Sequence, residues 1–457
     1  MNPHVRLRTA ALCTALLASA PSWAVEIETL TSPGGIEFLH APIPDADRAS
    51  VQVVWPSDWA RTEAAVGAPY VGADLVVQGG AGELDAAGTQ QAFEDLGVEG
   101  AVFVTADVVH GVLNAPAGDL EAAVALGADA LVRPALDERW FARIRDGFEA
   151  NIEEGNSTTD ALAGRTLRRL VHGDTGLERF LSTADPDLAS ALTLDEVRRW
   201  HAETFTRSGM IVAIAGGVDA DGAGEIVDTL LGELPAGESP PAAPDAEADF
   251  SARTVLLHAP EADQGIVALA GRLPPTSDGG ELEDIVIAGA LGGGEGSRLF
   301  EALRTELRAA YAPEAIIDPQ TRAVRALVLY AAVDAGKVGA ARAAMLEAYA
   351  ELVSDGPGAS AVGVVADQLR HGFEQTFEDP VALAQTALAN ALDGFAPKRL
   401  TTIFDDIDAL SAASVKARLD RAWPAADELV QVLLSPDASA VDGACVVKSV
   451  GAASGCE

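Results

Sequence analysis

Residues 292–311 read GGGEGSRLFEALRTELRAAY. The run from Ser297 onward has the composition of a helix start, and the glycines Gly292, Gly293 and Gly294 precede it. Arg304 and Tyr311 are spaced about 20° short of two full turns at 3.6 residues per turn. A helix that continues to Tyr311 would project both side chains from one face, about 10 Å apart along the axis. An arginine and a phenol on one face, beside a glycine-rich loop, form a donor pair suited to a carbonyl oxygen or a developing oxyanion. The same residues also suit an ordinary amphipathic helix, with Arg304 solvated and Tyr311 half-buried.

Outward from this run the chain divides in two. Pro235 to Asp249, PAGESPPAAPDAEAD, has no hydrophobic period and reads as a semi-rigid linker. It separates segments 25–234 and 250–440, with a tail at 441–457. The two segments repeat one order of elements. The first opens with a hairpin (Ile27–Leu30, then Ile36–Ala41) and a strand at Ser50–Trp55. The second opens with strands at Thr254–His258 and Gln264–Arg272. Each continues with a helix, a Gly-rich turn and a second helix, then two strand-like runs, then long Ala/Leu helices. Each closes with a short helix and a final strand. Strands first and helices after predict an α+β protein of two homologous domains, each an antiparallel sheet with helices packed on one face.

The chain has 457 residues and a net charge of −38, which argues against nucleic acid and anionic membrane surfaces as partners. Residues 1–24 read as a secretory signal: Arg6 and Arg8, an apolar stretch from Thr9 to Ala20, and Ser22-Trp23-Ala24 ahead of cleavage. No later stretch has the length of a membrane anchor. An exported, periplasmic protein is expected. Beyond Cys13 in that leader, the cysteines are Cys445 and Cys456. They could remain thiols, but an oxidising compartment favours a disulfide that pins the tail.

Familiar catalytic patterns are missing. No G-x-S-x-G occurs, and the triple glycine lacks the spacing of a phosphate loop. His40, His110, His172, His201, His258 and His371 are scattered, and none opens an H-x-x-E-H or H-E-x-x-H pair. Each reads as a capping, surface or core histidine.

The duplication, the linker position and LGGGEGSRLFEALRTELRAAY together resemble the insulinase/pitrilysin family of inverted-zincin metallopeptidases. TSPGGIEFL, ending at Leu39, is similar to that family's opening hairpin. Trp200-His201 through Gly217-Val218-Asp219 resembles the end of its first domain. The resemblance implies that Arg304 and Tyr311 contact substrate across a catalytic chamber. It implies that Gly292 to Gly294 let backbone approach the substrate closely, and that Arg298 holds the helix to the neighbouring sheet. The family's H-x-x-E-H is lost. Aligned on Gly79-Gly80, Tyr70 stands at the first zinc ligand, Ala73 at the catalytic Glu and Asp74 at the second ligand. Two helical His four apart hold the zinc in such a motif, and the Glu activates the bound water. The expectation is therefore a chain with no catalytic residues of its own and no cofactor. It would supply the Arg/Tyr pair to a zinc-bearing homologous subunit acting on a peptide substrate. The alternative is a peptide-binding or scaffold protein with no role in cleavage.

Overall fold

The computed structural model describes residues 26–57, 66–182, 187–238 and 247–456. The expected leader lies outside these residues, and of the expected linker only the flanks are described. The first half runs β1 (Glu28–Thr31), β2 (Glu37–Pro42), β3 (Arg48–Pro56) and α1 (Gly67–Gln78), then a small ribbon of β4 (Gly80–Ala81) and β5 (Leu84–Asp85). It continues through α2 (Ala86–Asp95), β6 (Glu99–Val104), β7 (Val108–Pro116), α3 (Leu120–Val132), α4 (Glu138–Ser157) and α5 (Thr159–His172). It ends with α6 (Gly176–Ser182), α7 (Asp187–Ser190), α8 (Leu194–Thr204), β8 (Ile211–Gly216) and α9 (Ala220–Leu231).

The second half begins with β9 (Thr254–His258), β10 (Gln264–Leu273) and α10 (Glu281–Gly292). A short π-helix at Phe300–Glu306 precedes β11 (Glu314–Pro319) and β12 (Arg325–Asp334). The long helices α11 (Val338–Asp355), α12 (Ala359–Glu378) and α13 (Pro380–Leu392) follow. After further short helices come β13 (Val430–Ser435) and β14 (Cys445–Val447).

The strands form two six-stranded sheets, ordered β1-β2-β8-β3-β7-β6 and β11-β12-β10-β13-β9-β14. Read from opposite ends, five positions correspond, with β2, β8, β3, β7 and β6 matching β9, β13, β10, β12 and β11. The repeat reaches single bonds. His40 Nε2 on β2 lies 3.0 Å from the Val218 carbonyl oxygen, and His258 Nε2 on β9 lies 3.0 Å from that of Pro436. Both pairs span 178 residues of sequence.

This is the expected α+β pair of repeated halves, with three differences in detail. First, the sheets are mixed: β2 runs parallel to β8, and β9 runs parallel to both β13 and β14. Second, the sixth strand comes from opposite chain ends. Part of the tail forms β14, so the tail is the edge of the second sheet rather than an appendage. Cys445 on that strand is joined to Cys456 by a disulfide, with Cα atoms 5.9 Å apart.

Third, helices cover both faces of each sheet. In β3, Val51, Val53 and Trp55 point into the first half's own core, while Val54 points the other way, toward Leu383, Ala384 and Leu388 of α13. In β10, Val267 and Leu269 face the second half's own helices, while Ile266, Ala268 and Ala270 face Ala163, Leu167 and Leu170 of α5. Each half thus lends one helix to the back of the other's sheet. Gln52 Nε2 on β3 donates to the Val381 carbonyl at 2.8 Å, and Tyr330 on β12 donates to Asp160 on α5. Central strands buried on both faces read as near-continuous apolar runs, as VQVVW and GIVALAG do. The tips of the β6–β7 and β11–β12 hairpins also meet, with Arg322 N donating to Asp107 Oδ2 at 2.8 Å, and the end of α5 reaches the second tip, with His172 Nε2 2.8 Å from Gln320 Oε1.

Candidate functional site

Helix α1 carries the three positions where the zinc motif is lost. Tyr70 turns inward. Its ring packs on Phe148 and Phe180, with centroids 5.6 and 5.3 Å away, and its hydroxyl donates to the Phe180 carbonyl at 2.9 Å. Burial pushes the phenol up to about 12, so it stays protonated and poorly suited to ligate a metal. Ala73 is buried and carries no donor atom. Asp74 is exposed at the helix surface, yet the surrounding walls partly desolvate its carboxyl and hold its pKa above the ordinary value. Among the described residues no three His, Cys, Asp or Glu side chains come together to hold a metal ion. The residues present do not fit zinc. What remains is an open cavity of about 470 Å³ between α1, the edge strand β6 and α4, lined by Asp74, Gln78, Phe103, Arg143, Phe148 and Asn151 among others.

The second half holds the Arg/Tyr pair, in a geometry different from the expected one. The helix does not reach Tyr311. From Phe300 the backbone widens to π spacing, with Leu307 N donating to Ala302 O at 3.1 Å, and a wider six-residue closure follows from Ala309 N to Leu303 O at 2.8 Å. Arg308 then takes a left-handed φ of 50°, which ends the helix, and Ala310 bridges Val333 on β12. Single π turns are frequent at functional sites. The pair is brought together by folding back. The Arg304 guanidinium sits over the Tyr311 ring, 4.2 Å from its centroid. Its Nη1 donates to the Tyr311 carbonyl at 3.2 Å, and Phe300 flanks it at 5.8 Å. Tyr311 is 79% exposed, and among the described residues nothing hydrogen-bonds its hydroxyl. The half-buried cation and the phenol therefore present donors to solvent at one spot.

The other expected site residues take supporting places. Arg298 reaches helix α11, not the sheet: its Nη1 lies 3.2 Å from Glu351 Oε2. The glycine run packs the end of α10 against β11. A Cβ on Gly292 would fall 2.3 Å from Ala315 N, so only glycine permits this approach. Gly293 caps α10 through its N–H to the Gly289 carbonyl, and Gly294, at φ 99°, turns the chain into the Ser297 segment. The corresponding helix anchor is Asp284 on α10. It is 0% exposed and receives Arg418 Nε and Nη2 at 2.8 and 2.7 Å, Trp423 Nε1 at 2.8 Å and Arg325 Nη1 at 3.3 Å. Phe300, Arg308 and this buried network escape sequence reading. For Phe300 a signal exists, an aromatic four residues before Arg304 on a helical run.

A family model described as the peptidase M16 inactive domain matches residues 191–369, which include the Arg/Tyr segment. The matched part of the chain is similar to the M16 peptidase family, and the sequence contains no H-x-x-E-H. An uncharacterized zinc protease of Mycobacterium leprae is similar to this chain, 28% identical over 76% of it and 78% of the relative. Among solved structures, a peptidase M16 inactive domain from Pseudomonas fluorescens is similar in fold, with a TM-score of 0.83 at 18% identity over 90% of this chain and 99% of that one. The periplasmic protease PqqL from Escherichia coli is similar at a TM-score of 0.70 and 14% identity. There this chain matches over 94% of its own length but only 50% of the PqqL chain. Among the described residues no helix is long and apolar enough to cross a membrane.

Proposed function

We propose that this chain is an M16-type non-catalytic partner in an exported, two-chain zinc peptidase. Substrate peptide lies between the chains, and the zinc and the water-activating Glu belong to a homologous partner. Arg304 and Tyr311 donate hydrogen bonds to the peptide carbonyl near the scissile bond. They hold it and stabilise the oxyanion that forms as water adds. One such donor is worth roughly 3 kcal/mol at the transition state. The observation that carries this reading is the stacked pair itself: a guanidinium and a phenol held together at an exposed spot, in a chain whose α1 cannot ligate zinc. Co-expression with a zinc-motif homologue, followed by co-purification and metal analysis of each chain, tests it. Zinc found in the partner alone supports the assignment, and failure of any such homologue to co-purify counts against it.

A second reading is a peptide-binding protein with no role in cleavage. The open 470 Å³ cavity beside the edge strand β6 favours it, because an unpaired strand edge is a ready template for an extended peptide. Peptide binding by the isolated chain, with no cleavage in any complex, would select this reading.

A further inference from the structure

The open cavity between α1, β6 and α4 carries an unbalanced charge. Asp74 is the carboxylate in its wall, and Arg143 is the cation. The two do not neutralise each other. Among the described residues no ion pair reaches Asp74, and no cation acts on its carboxyl. The Arg143 guanidinium instead lies over the Trp140 ring of its own helix, 4.9 Å from the centroid. Val71, Ile144 and Phe148 supply apolar wall to the same cavity. A carboxylate set among such walls loses part of its hydration, and a cation brought by a ligand offsets that loss.

The edge strand gives an incoming chain its register. β6 is the last strand of its sheet, so its outer N–H and C=O groups are open to an extended peptide. Side chains alternate along a strand. Val102 and Val104 pack toward the first half's own core. Phe103 points the other way, 41% exposed, with its ring centroid 4.5 Å from that of His110. A peptide paired to β6 therefore sets every second side chain on the α1 side, toward Asp74.

We propose that this cavity takes a long basic side chain, lysine or arginine, from a peptide laid along β6. Asp74 accepts its cationic end, and the apolar wall covers its aliphatic stem. The net charge of −38 draws cations toward the site. This selectivity rests on the peptide-binding reading of β6 and is separate from the Arg304 and Tyr311 pair.

The blocked pentapeptide Thr-Val-Lys-Val-Thr is the probe. The same peptide with norleucine for lysine is the control, similar in stem and without charge. Calorimetry with the full chain reads both affinities. The lysine peptide is expected to bind about tenfold more tightly, and the difference should shrink as salt rises. Asp74→Asn, nearly isosteric and at an exposed position, should bring the two affinities together. Gly147→Trp enters the cavity from α4, where an added Cβ meets nothing within 4 Å, and should block both peptides. Equal affinities in the wild-type chain, or a lysine preference that survives Asp74→Asn, would overturn the selectivity and leave peptide binding along β6 standing. Binding of both peptides that survives Gly147→Trp, or no binding of either by the wild-type chain, would overturn both.

Discussion

The guanidinium of Arg304 packs 4.2 Å from the ring centroid of Tyr311, although no continuous helix joins the two residues. A straight helix would have left them about 10 Å apart along its axis. The π turn and the left-handed residue after it instead fold Tyr311 back over the cation. Pairing an arginine with an aromatic face orients the guanidinium without neutralising it, so its remaining N–H groups stay available to a ligand.

The reversal depends on Arg308, whose φ of 50° lies where a side chain crowds its own carbonyl. Its side chain is exposed, and among the described residues its carbonyl accepts a hydrogen bond from Lys337 Nζ at 2.8 Å. Arg308→Gly should therefore stabilise the protein by about 1 kcal/mol. Chemical denaturation of the two proteins checks this. Loss of stability would mean that the turn is held by the arginine side chain.

Asp284 on α10 gathers two arginines and an indole N–H in a site with no exposure. Removing the carboxylate strands two buried cations. Asp284→Ala is expected to cost about 3–5 kcal/mol and to lower expression. A denaturation midpoint within error of wild type would show that water enters and solvates the arginines.

His110 gives a pH dependence with a definite sign. It is buried, with Nε2 2.8 Å from Gln52 Oε1, and burial pulls its pKa from 6.5 down to about 4. The unfolded chain takes up a proton as pH falls through about 6.5, and the folded chain only near 4. Between those values the unfolded state binds more protons. The contribution is therefore fully present above pH 6.5 and is lost as pH falls toward 4, in all about 3 kcal/mol. His110→Gln should flatten the stability slope in that window, with the carboxylates titrating equally in both proteins. An unchanged slope would mean that His110 is solvated in the folded state.

The order of elements along the chain was legible because its signals are local. VQVVW and GIVALAG sit at matching places in the two halves, and the SPGG turn sets the first hairpin. The exchange of α5 and α13 was not legible. Both are amphipathic helices whose apolar faces say that they pack, but not against which sheet. The tail strand CVV is too short to register as a strand by periodicity. For the candidate site, the spacing of Arg304 and Tyr311 placed these two side chains near each other for the wrong geometric reason. ELRAAY reads as good helix by propensity, and tertiary contacts overrode it, through the bridge of Ala310 to Val333 on β12. The loss of the zinc motif was legible at once, since Ala73 has no donor atom in any fold.

The decisive measurement is turnover of the two-chain complex carrying Arg304→Ala, with zinc content and complex formation recorded on the same sample. If this chain lends its donors to a metal held elsewhere, turnover falls about 100-fold while zinc and assembly match wild type. Unchanged turnover, or stoichiometric zinc bound by this chain alone, would contradict that role.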